Sequence, residues 1–413
     1  MNNIAIVGGG ASGIFLAVYL KRLLLANNKD ASITIYERLE KTGKKVLATG
    51  NGRCNFTNIG LSKKEYNNPE FVSYAIDNFT PYDLINFLKD LGLQTMIDKE
   101  GRAYPYSESA NTFLDVLRTY LKIYKIMEYC NTEIKKVIKQ GDSFILETAK
   151  GQKISADIVI FSTGGRSSQI HGSNGSGYLL LKQLKHQIIE PKPGLVGITT
   201  DPKEVKSLMG IRSKVKVTLY NKKKKENSFS EEGEIIFKAD GISGIVIMNV
   251  ESYMMRNPAN YILKIDFLPK ITNEELFVDL KMRANDFRNF ENPNLLMGYF
   301  PKMLNYAIFK KAKIDVSGYI KDLTDKDIGK VIKVIKEFTL EIDGTYDFER
   351  SQVTVGGLAL NDVCEKTMES KKTKNLYVTG ELLDIDGMCG GYNLHWAFAS
   401  AVCAAEDIVK KIN

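Results

Sequence analysis

Ile4-Ala5-Ile6-Val7-Gly8-Gly9-Gly10-Ala11-Ser12-Gly13 runs from four apolar residues into glycines spaced Gly8-x-Gly10-x-x-Gly13. The apolar four predict a short buried strand. Phe15, Leu16, Tyr19, Leu20 and Leu23 predict a helix from about residue 11 to residue 26. The glycines act mechanically. Gly8 allows a tight turn, Gly10 lets backbone approach a pyrophosphate, and Gly13 lets the helix pack close to the strand. The free N–H groups and dipole of the helix start favour negative charge there. A second strand, Ile33-Thr34-Ile35-Tyr36, ends at Glu37, whose carboxylate suits both ribose hydroxyls of an adenosine. Strand, glycine triplet, helix, strand and acid in this order predict a dinucleotide site.

Working outward, 413 residues are enough for two or three domains with a large core. Hydrophobic residues make up 44% and charged residues 26%, ordinary for a globular protein. No apolar run approaches the ~20 residues a membrane span needs. Core strand follows Met1-Asn2-Asn3 directly, so no signal peptide is expected and the cytoplasm is the expected location. Five cysteines without a Cys-x-x-Cys pair fit reduced thiols there. The three histidines, His171, His186 and His395, lack metal-ligand spacing, and no metal is expected. A net charge of +8 arises from scattered lysine patches such as 222–225, 310–311 and 371–372. Without interleaved aromatics these read as solvated surface, so nucleic acid is not the expected partner.

After Glu37 comes Lys41-Thr42-Gly43-Lys44-Lys45-Val46-Leu47-Ala48-Thr49-Gly50-Asn51-Gly52-Arg53-Cys54-Asn55-Phe56-Thr57-Asn58. Its glycines and small polar residues suit a loop that wraps a ligand and offers backbone N–H groups to phosphate and ring heteroatoms. The run Gly52-Arg53-Cys54-Asn55-x-Thr57-Asn58, behind the N-terminal glycines, resembles the BaiN/YhiN-type family of bacterial FAD-dependent oxidoreductases. That family includes aminoacetone oxidase-like flavoproteins and enoyl reductases acting on bile-acid intermediates.

Later segments carry the same resemblance. Gly101-Arg102-Ala103-Tyr104-Pro105-Tyr106-Ser107-x-x-Ala110 resembles the family's Gly-Arg-x-aromatic-Pro-x-Ser-x-x-Ala element. Thr80-Pro81 marks a helix start and Gly92 its stop. Strands are expected around 133–137 and 144–148, with Gln140-Gly141-Asp142 as the hairpin tip. In flavoproteins of this architecture the backbone just before such a hairpin holds adenine, which implicates Ile134. Strand 157–161 runs into Ser162-Thr163-Gly164-Gly165, similar to an Ala-Thr-Gly turn that touches the dinucleotide from the sheet's far side. Gly172-Ser173-Asn174-Gly175-Ser176-Gly177-Tyr178 resembles another family element, with Ser176 where aspartate is common. Near the end, an apolar strand meets Gly380-Glu381, which can set a carboxylate against ribityl hydroxyls. Gly390-Gly391-Tyr392-Asn393-Leu394 then opens an alanine-rich helix over 396–410, whose N–H groups can face the flavin pyrimidine edge.

The resemblance implies an α/β fold: a GxGxxG, Rossmann-like FAD-binding domain of the glutathione-reductase type, interrupted by an inserted β subdomain and a helical subdomain. The expected FAD-binding domain is 1–190 with 355–413, the β subdomain 191–270 with 340–354, and the helical one 271–339. Cofactor contacts are implied at Gly8, Gly10, Ala11, Ser12, Gly13, Glu37 and Arg38. In the loop they fall on Lys45, Thr49, Gly50, Asn51, Gly52, Arg53, Cys54, Asn55 and Thr57. Further contacts are Ile134, Thr163, Gly164, Gly165, Gly357, Gly380, Glu381, Asp386, Gly391, Tyr392, Asn393 and Leu394. His395, where relatives often have glutamine, is either a substrate contact or a satisfied structural histidine. The implied chemistry is hydride transfer through flavin N5, with the cofactor supplying the reactivity. Three readings stay open: a reductase taking electrons from NAD(P)H to an activated C=C bond of a small molecule, an oxidase passing electrons from a small amine to O₂, and an RNA-modifying flavoprotein. The insert is expected to shape the substrate pocket, and substrate identity and oligomeric state stay open.

Overall fold

The computed structural model describes residues 2–412. A five-stranded parallel sheet carries the first unit. Its strands are β1 (Asn2–Val7), β2 (Ala31–Tyr36), β3 (Met127–Tyr129), β4 (Ile158–Phe161) and β5 (Leu376–Val378), in the order β5-β4-β1-β2-β3. β1 lies between β4 and β2, with Ile4 beside both Ile158 and Ile33, and Ile4–Val7 are buried throughout. A strand covered on both faces reads as an unbroken apolar run, which is the pattern of Ile4–Val7.

Helix α1 (Ala11–Ala26) follows β1, and the last helix, α2 (Tyr392–Lys411), packs on it, with Phe15 and Phe398 ring centroids 4.7 Å apart. Ala399, Ala401, Ala404 and Ala405 are all fully buried, and their small side chains permit that approach. α2 begins at Tyr392, one turn before the expected start at Trp396. Thr80 and Asp83 form the reciprocal cap of helix Pro81–Asp90, as its Thr-Pro start predicts. Helix Pro69–Asn78, which no sequence signal had marked out, buries Val72, Ala75 and Ile76 in the same core. Ile134–Gln140, Ser143–Thr148 and Lys153–Ala156 form an antiparallel sheet with its first hairpin where expected.

The chain divides into Met1–Gly194 with Asp347–Asn413, and Leu195–Tyr346. Residues 191–194 and 347–354, expected in the insert, belong to the first unit, where Ile188–Gly194 pairs antiparallel with Val353–Leu358. The second unit has a seven-stranded antiparallel sheet built around the long hairpin Arg212–Asn221 and Glu226–Phe237. Lys222–Lys225 turn this hairpin, with the Asn221 carboxamide oxygen accepting from the Lys223 and Lys224 amides. Residues 245–256, expected in a β region, form a helix instead. The β and helical segments are not separate subdomains: Val217 and Leu263 from strands share one core with Leu276, Leu304 and Val331 from helices. Each sheet face and each helix stripe is apolar on one side only, so each buries itself against the other.

Candidate functional site

A cleft opens where β1, β2 and β4 end, the usual ligand position on a parallel sheet. Gly8, Glu37, Arg38, Ile134, Thr163, Gly172 and Ser176 all line it. The structure thus joins Ile134, expected near adenine, to Glu37, although 97 residues separate them in the chain. Glu37 is held from both sides: Oε2 accepts the Gly9 amide at 2.9 Å and Oε1 the Leu39 amide at 2.8 Å. Each carboxylate oxygen keeps a further lone pair. Arg38 donates through Nε and Nη2 to the Gly172 carbonyl, at 3.1 and 2.9 Å, so it ties one wall of the cleft to the other.

The glycines separate by cause. At Gly8 (φ +106°) a Cβ would stand 2.6 Å from the Ser162 carbonyl oxygen, and at Gly13 2.1 Å from that of Gly8. Those two are required by the protein's own backbone. At Gly10 the nearest atom would be 3.8 Å away, so nothing in the chain demands glycine there. Thr163 Oγ1 is buried and has no hydrogen-bond partner among the described residues. Open space at Gly10 beside the first turn of α1, together with Glu37 and Ile134 in the cleft, fits the diphosphate and adenosine of a dinucleotide. The Ser12 hydroxyl is not available to a ligand, because it donates to Thr379 Oγ1 at 2.8 Å within a buried chain that also includes Ser162. Ala11 packs against the core.

The glycine-rich loop divides similarly. Gly50, Asn51 and Gly52 have φ of +57°, +56° and +85°, a left-handed run that turns successive N–H groups the same way. Thr49 Oγ1 donates to the Val46 carbonyl at 2.7 Å. Cys54 is fully buried and burial pushes its thiol up to about 12, so it is inert. Asn55 donates to the carbonyls of Thr57 and Ala103. Cys54 and Asn55, expected at the cofactor, hold the loop together instead. Arg53 lies over the Tyr104 ring, 4.8 Å from its centroid, and pairs with Glu108 at 3.2 Å.

Glu381 is not the free acceptor that the sequence suggested. Lys45 Nζ sits 2.7 Å from Oε2 and the Thr354 amide 2.8 Å from Oε1. Gly165 and Gly357 are explained by close contacts, since a Cβ would meet Thr354 Oγ1 at 2.2 Å and the Leu382 carbonyl oxygen at 2.8 Å. Gly164 and Gly380 both have positive φ, +68° and +70°. At Gly391 (φ +103°) a Cβ would lie 2.5 Å from the Thr57 carbonyl oxygen, so its backbone approaches the chain itself. The Asn393 carboxamide closes the Gly387 turn in both directions at 2.8 Å, turned inward and not toward a ligand. Asp386 is buried and its amide donates to Asn67, while the Tyr392 carbonyl accepts the Tyr66 hydroxyl and Leu394 packs on the core.

His395 is fully buried, with Nδ1 2.9 Å from Thr57 Oγ1 and Nε2 2.9 Å from the Phe79 carbonyl oxygen. Burial lowers its pKa to about 4, so it stays neutral. Both nitrogens are taken, which removes His395, and with it Thr57's hydroxyl, from substrate or cofactor contact. Sequence reasoning passed over Ser176 and Thr132 as cleft-lining residues, and Tyr104 as the residue under Arg53. Tyr104 did carry a signal, its place in a family motif, without a role attached.

The family model described as HI0933-like protein Rossmann domain matches residues 2–407. The chain belongs to the HI0933-like family. That places it among the BaiN/YhiN-type flavoproteins, as an FAD-dependent oxidoreductase. This HI0933-like chain is 32% identical over 416 residues to a 3-dehydro-bile acid delta(4,6)-reductase of Clostridium scindens, covering 100% of both chains. It is 28% identical over 410 residues to a ribosomal RNA dihydrouridine synthase of Escherichia coli, covering 98% of this chain and 97% of the other. Among solved structures, a 3-ketosteroid-delta4-(5alpha)-dehydrogenase from Rhodococcus jostii RHA1 aligns with 98% of this chain and 97% of its own, at 12% identity and a TM-score of 0.48. No helix among the described residues is long and apolar enough to cross a membrane.

Proposed function

We propose that this protein uses electrons from NAD(P)H to saturate a carbon–carbon double bond conjugated to a carbonyl in a small ring compound. One observation carries the reading. The two kinds of relative have unrelated substrates by name, a bile acid and ribosomal RNA, yet both names describe saturation of a ring C=C bond. A carbonyl in conjugation makes such a bond an acceptor for hydride, and bound FAD supplies hydride transfer at N5. The chain's own part is binding and orientation. Gly10 and the first-turn amides of α1 take the diphosphate, Glu37 the adenosine ribose, and Ile134 with Thr163 the adenosine end. The amides of Gly50, Asn51 and Gly52 are donors for the flavin end, and the Lys45–Glu381 pair fixes the loop that carries them.

Anaerobic mixing of the yellow protein tests the reading. NADH or NADPH should bleach the flavin, and a 3-dehydro-delta(4,6) bile acid should restore its colour. Bleaching by aminoacetone, with recovery only in air, would instead identify an oxidase. Recovery with a ribosomal RNA transcript but no small enone would transfer the reaction to RNA, and binding that weakens steeply with salt should accompany it.

A further inference from the structure

Three separate family motifs converge on one short strand, Arg102–Pro105. It pairs with Thr57-Asn58, so that Thr57 lies beside Ala103 and Asn58 beside Arg102. The Ala103 carbonyl accepts both the Phe56 amide and the Asn55 carboxamide. Asn58 in turn donates to the Gly390 carbonyl at 3.4 Å, and Gly391 packs on the Thr57 backbone. The glycine-rich loop and the turn ahead of α2, the two segments expected around the flavin ring, therefore flank this strand.

Tyr104 occupies its centre. The residue is only 2% exposed, with its ring edge near Gly50 and the Arg53 guanidinium above it at 4.8 Å. Arg102 and Cys389 stand near enough to bear on its titration. Its hydroxyl has no hydrogen-bond partner among the described residues, yet is not sealed from solvent. Buried tyrosine hydroxyls ordinarily find a partner. The buried hydroxyls of Tyr66 and Tyr377 do so, on the Tyr392 carbonyl and on Asp407. Tyr104 and Tyr178 do not, and of the two it is Tyr104 that lies on the strand where the three motifs meet, with its hydroxyl open to solvent.

We propose that Tyr104 is the proton donor of the reduction, delivering its hydroxyl proton to the substrate carbon alpha to the carbonyl. This rests on the reductase reading above. Saturating the bond adds one hydride and one proton. The hydride, furnished by the oxidoreductase activity, forms a C–H bond at the beta carbon, and the π pair forms a bond to the Tyr104 proton at the alpha carbon. The substrate is reduced by two electrons and the cofactor oxidised by two, and the phenolate left at Tyr104 regains its proton from water. Arg53 and Arg102 stabilise that phenolate while it lasts. Burial outweighs them and holds the phenol above its ordinary value, so the proton is in place at neutral pH.

Tyr104→Phe retains the aromatic ring and removes only the hydroxyl. The variant and the native holoenzyme are each reduced anaerobically with NADPH, then mixed with a 3-dehydro-delta(4,6) bile acid or a ribosomal RNA transcript in H₂O and in D₂O. Equal FAD content and equal rates of bleaching are expected. Recovery of colour in the variant should slow by 10²–10⁴-fold, the usual contribution of a positioned acid. Native protein should place solvent deuterium at the alpha carbon on a single face, and residual product from the variant should carry it on both. Recovery within threefold of native, or single-face labelling in the variant, would overturn the assignment to Tyr104. Native protein that neither acceptor reoxidises would overturn the reductase reading itself, and this assignment with it.

Discussion

His395 carries its ring proton on Nε2, because the Phe79 carbonyl beside that nitrogen can only accept; Nδ1 then accepts from the Thr57 hydroxyl. Its pKa falls from 6.5 to about 4, since charging it inside the core is unfavourable. The stability linked to a neutral His395 is therefore full above pH 6.5 and is lost as pH falls toward 4. At about 1.4 kcal/mol per pKa unit this amounts to roughly 3 kcal/mol. His395→Gln can donate to Phe79 and accept from Thr57 without titrating. Denaturant unfolding of that variant should show a flatter fall in stability between pH 6.5 and 4, with FAD content unchanged. His186, also lowered by burial, adds a slope of the same sign in both proteins. Glu37 makes the opposite kind of residue: its links to Gly9 and Leu39 orient a carboxylate that still faces the cleft. Glu37→Ala should weaken FAD binding by roughly 1.5–3 kcal/mol, the worth of a charged hydrogen bond, and fluorescence titration of the apoprotein would measure it.

At the scale of elements, the β1–α1 turn separates what the fold needs from what the ligand needs. Gly13→Ala would push a Cβ to 2.1 Å from the Gly8 carbonyl oxygen, backbone that cannot step aside. Apoprotein carrying it should lose about 1–3 kcal/mol of stability, as overpacked sites do. Gly10 has φ −81° and open space around its Cβ position, so Gly10→Ala should leave the apoprotein's melting temperature unchanged. FAD affinity of Gly10→Ala should nevertheless drop more than tenfold. Equal affinities for native protein and Gly10→Ala would show that no phosphate approaches this turn. By the same logic Gly391 is an internal contact: Gly391→Val would strain the chain at φ +103° whatever is bound.

Over the whole molecule, every candidate cofactor residue lies in Met1–Gly194 or Asp347–Asn413, and none in Leu195–Tyr346. Each unit has its own hydrophobic cluster. The Gly194 carbonyl accepts the Gln352 amide at 3.2 Å, so the two ends of the first unit already meet. A chain in which a short Gly-Ser linker replaces residues 195–346 should therefore unfold in one cooperative transition and bind FAD. Calorimetry and FAD titration check both; a molten, FAD-free product would show that the first unit does not stand alone.

Signals confined to a few residues were legible in the chain itself. Strand, glycine turn and helix over residues 2–26, the hairpin at Gly141 and the cap at Thr80 each follow from hydrophobic period or from backbone geometry that only certain residues adopt. Glu37 was also legible, because β1–α1–β2 is a single local unit. What a side chain does once buried was not. Lys45 meets Glu381 across 336 residues and Thr57 meets His395 across 338, and these pairings turned an expected ribityl acceptor and a candidate substrate contact into internal partners. The single core of residues 195–346 was hidden for a related reason. Half-apolar strands and half-apolar helices each announce a face to be covered, but the covering partner is chosen by chain topology. Tyr104 stands at the same divide: the motif around it is written in the sequence, whereas an unmatched hydroxyl beneath Arg53 exists only once three distant segments have been folded together.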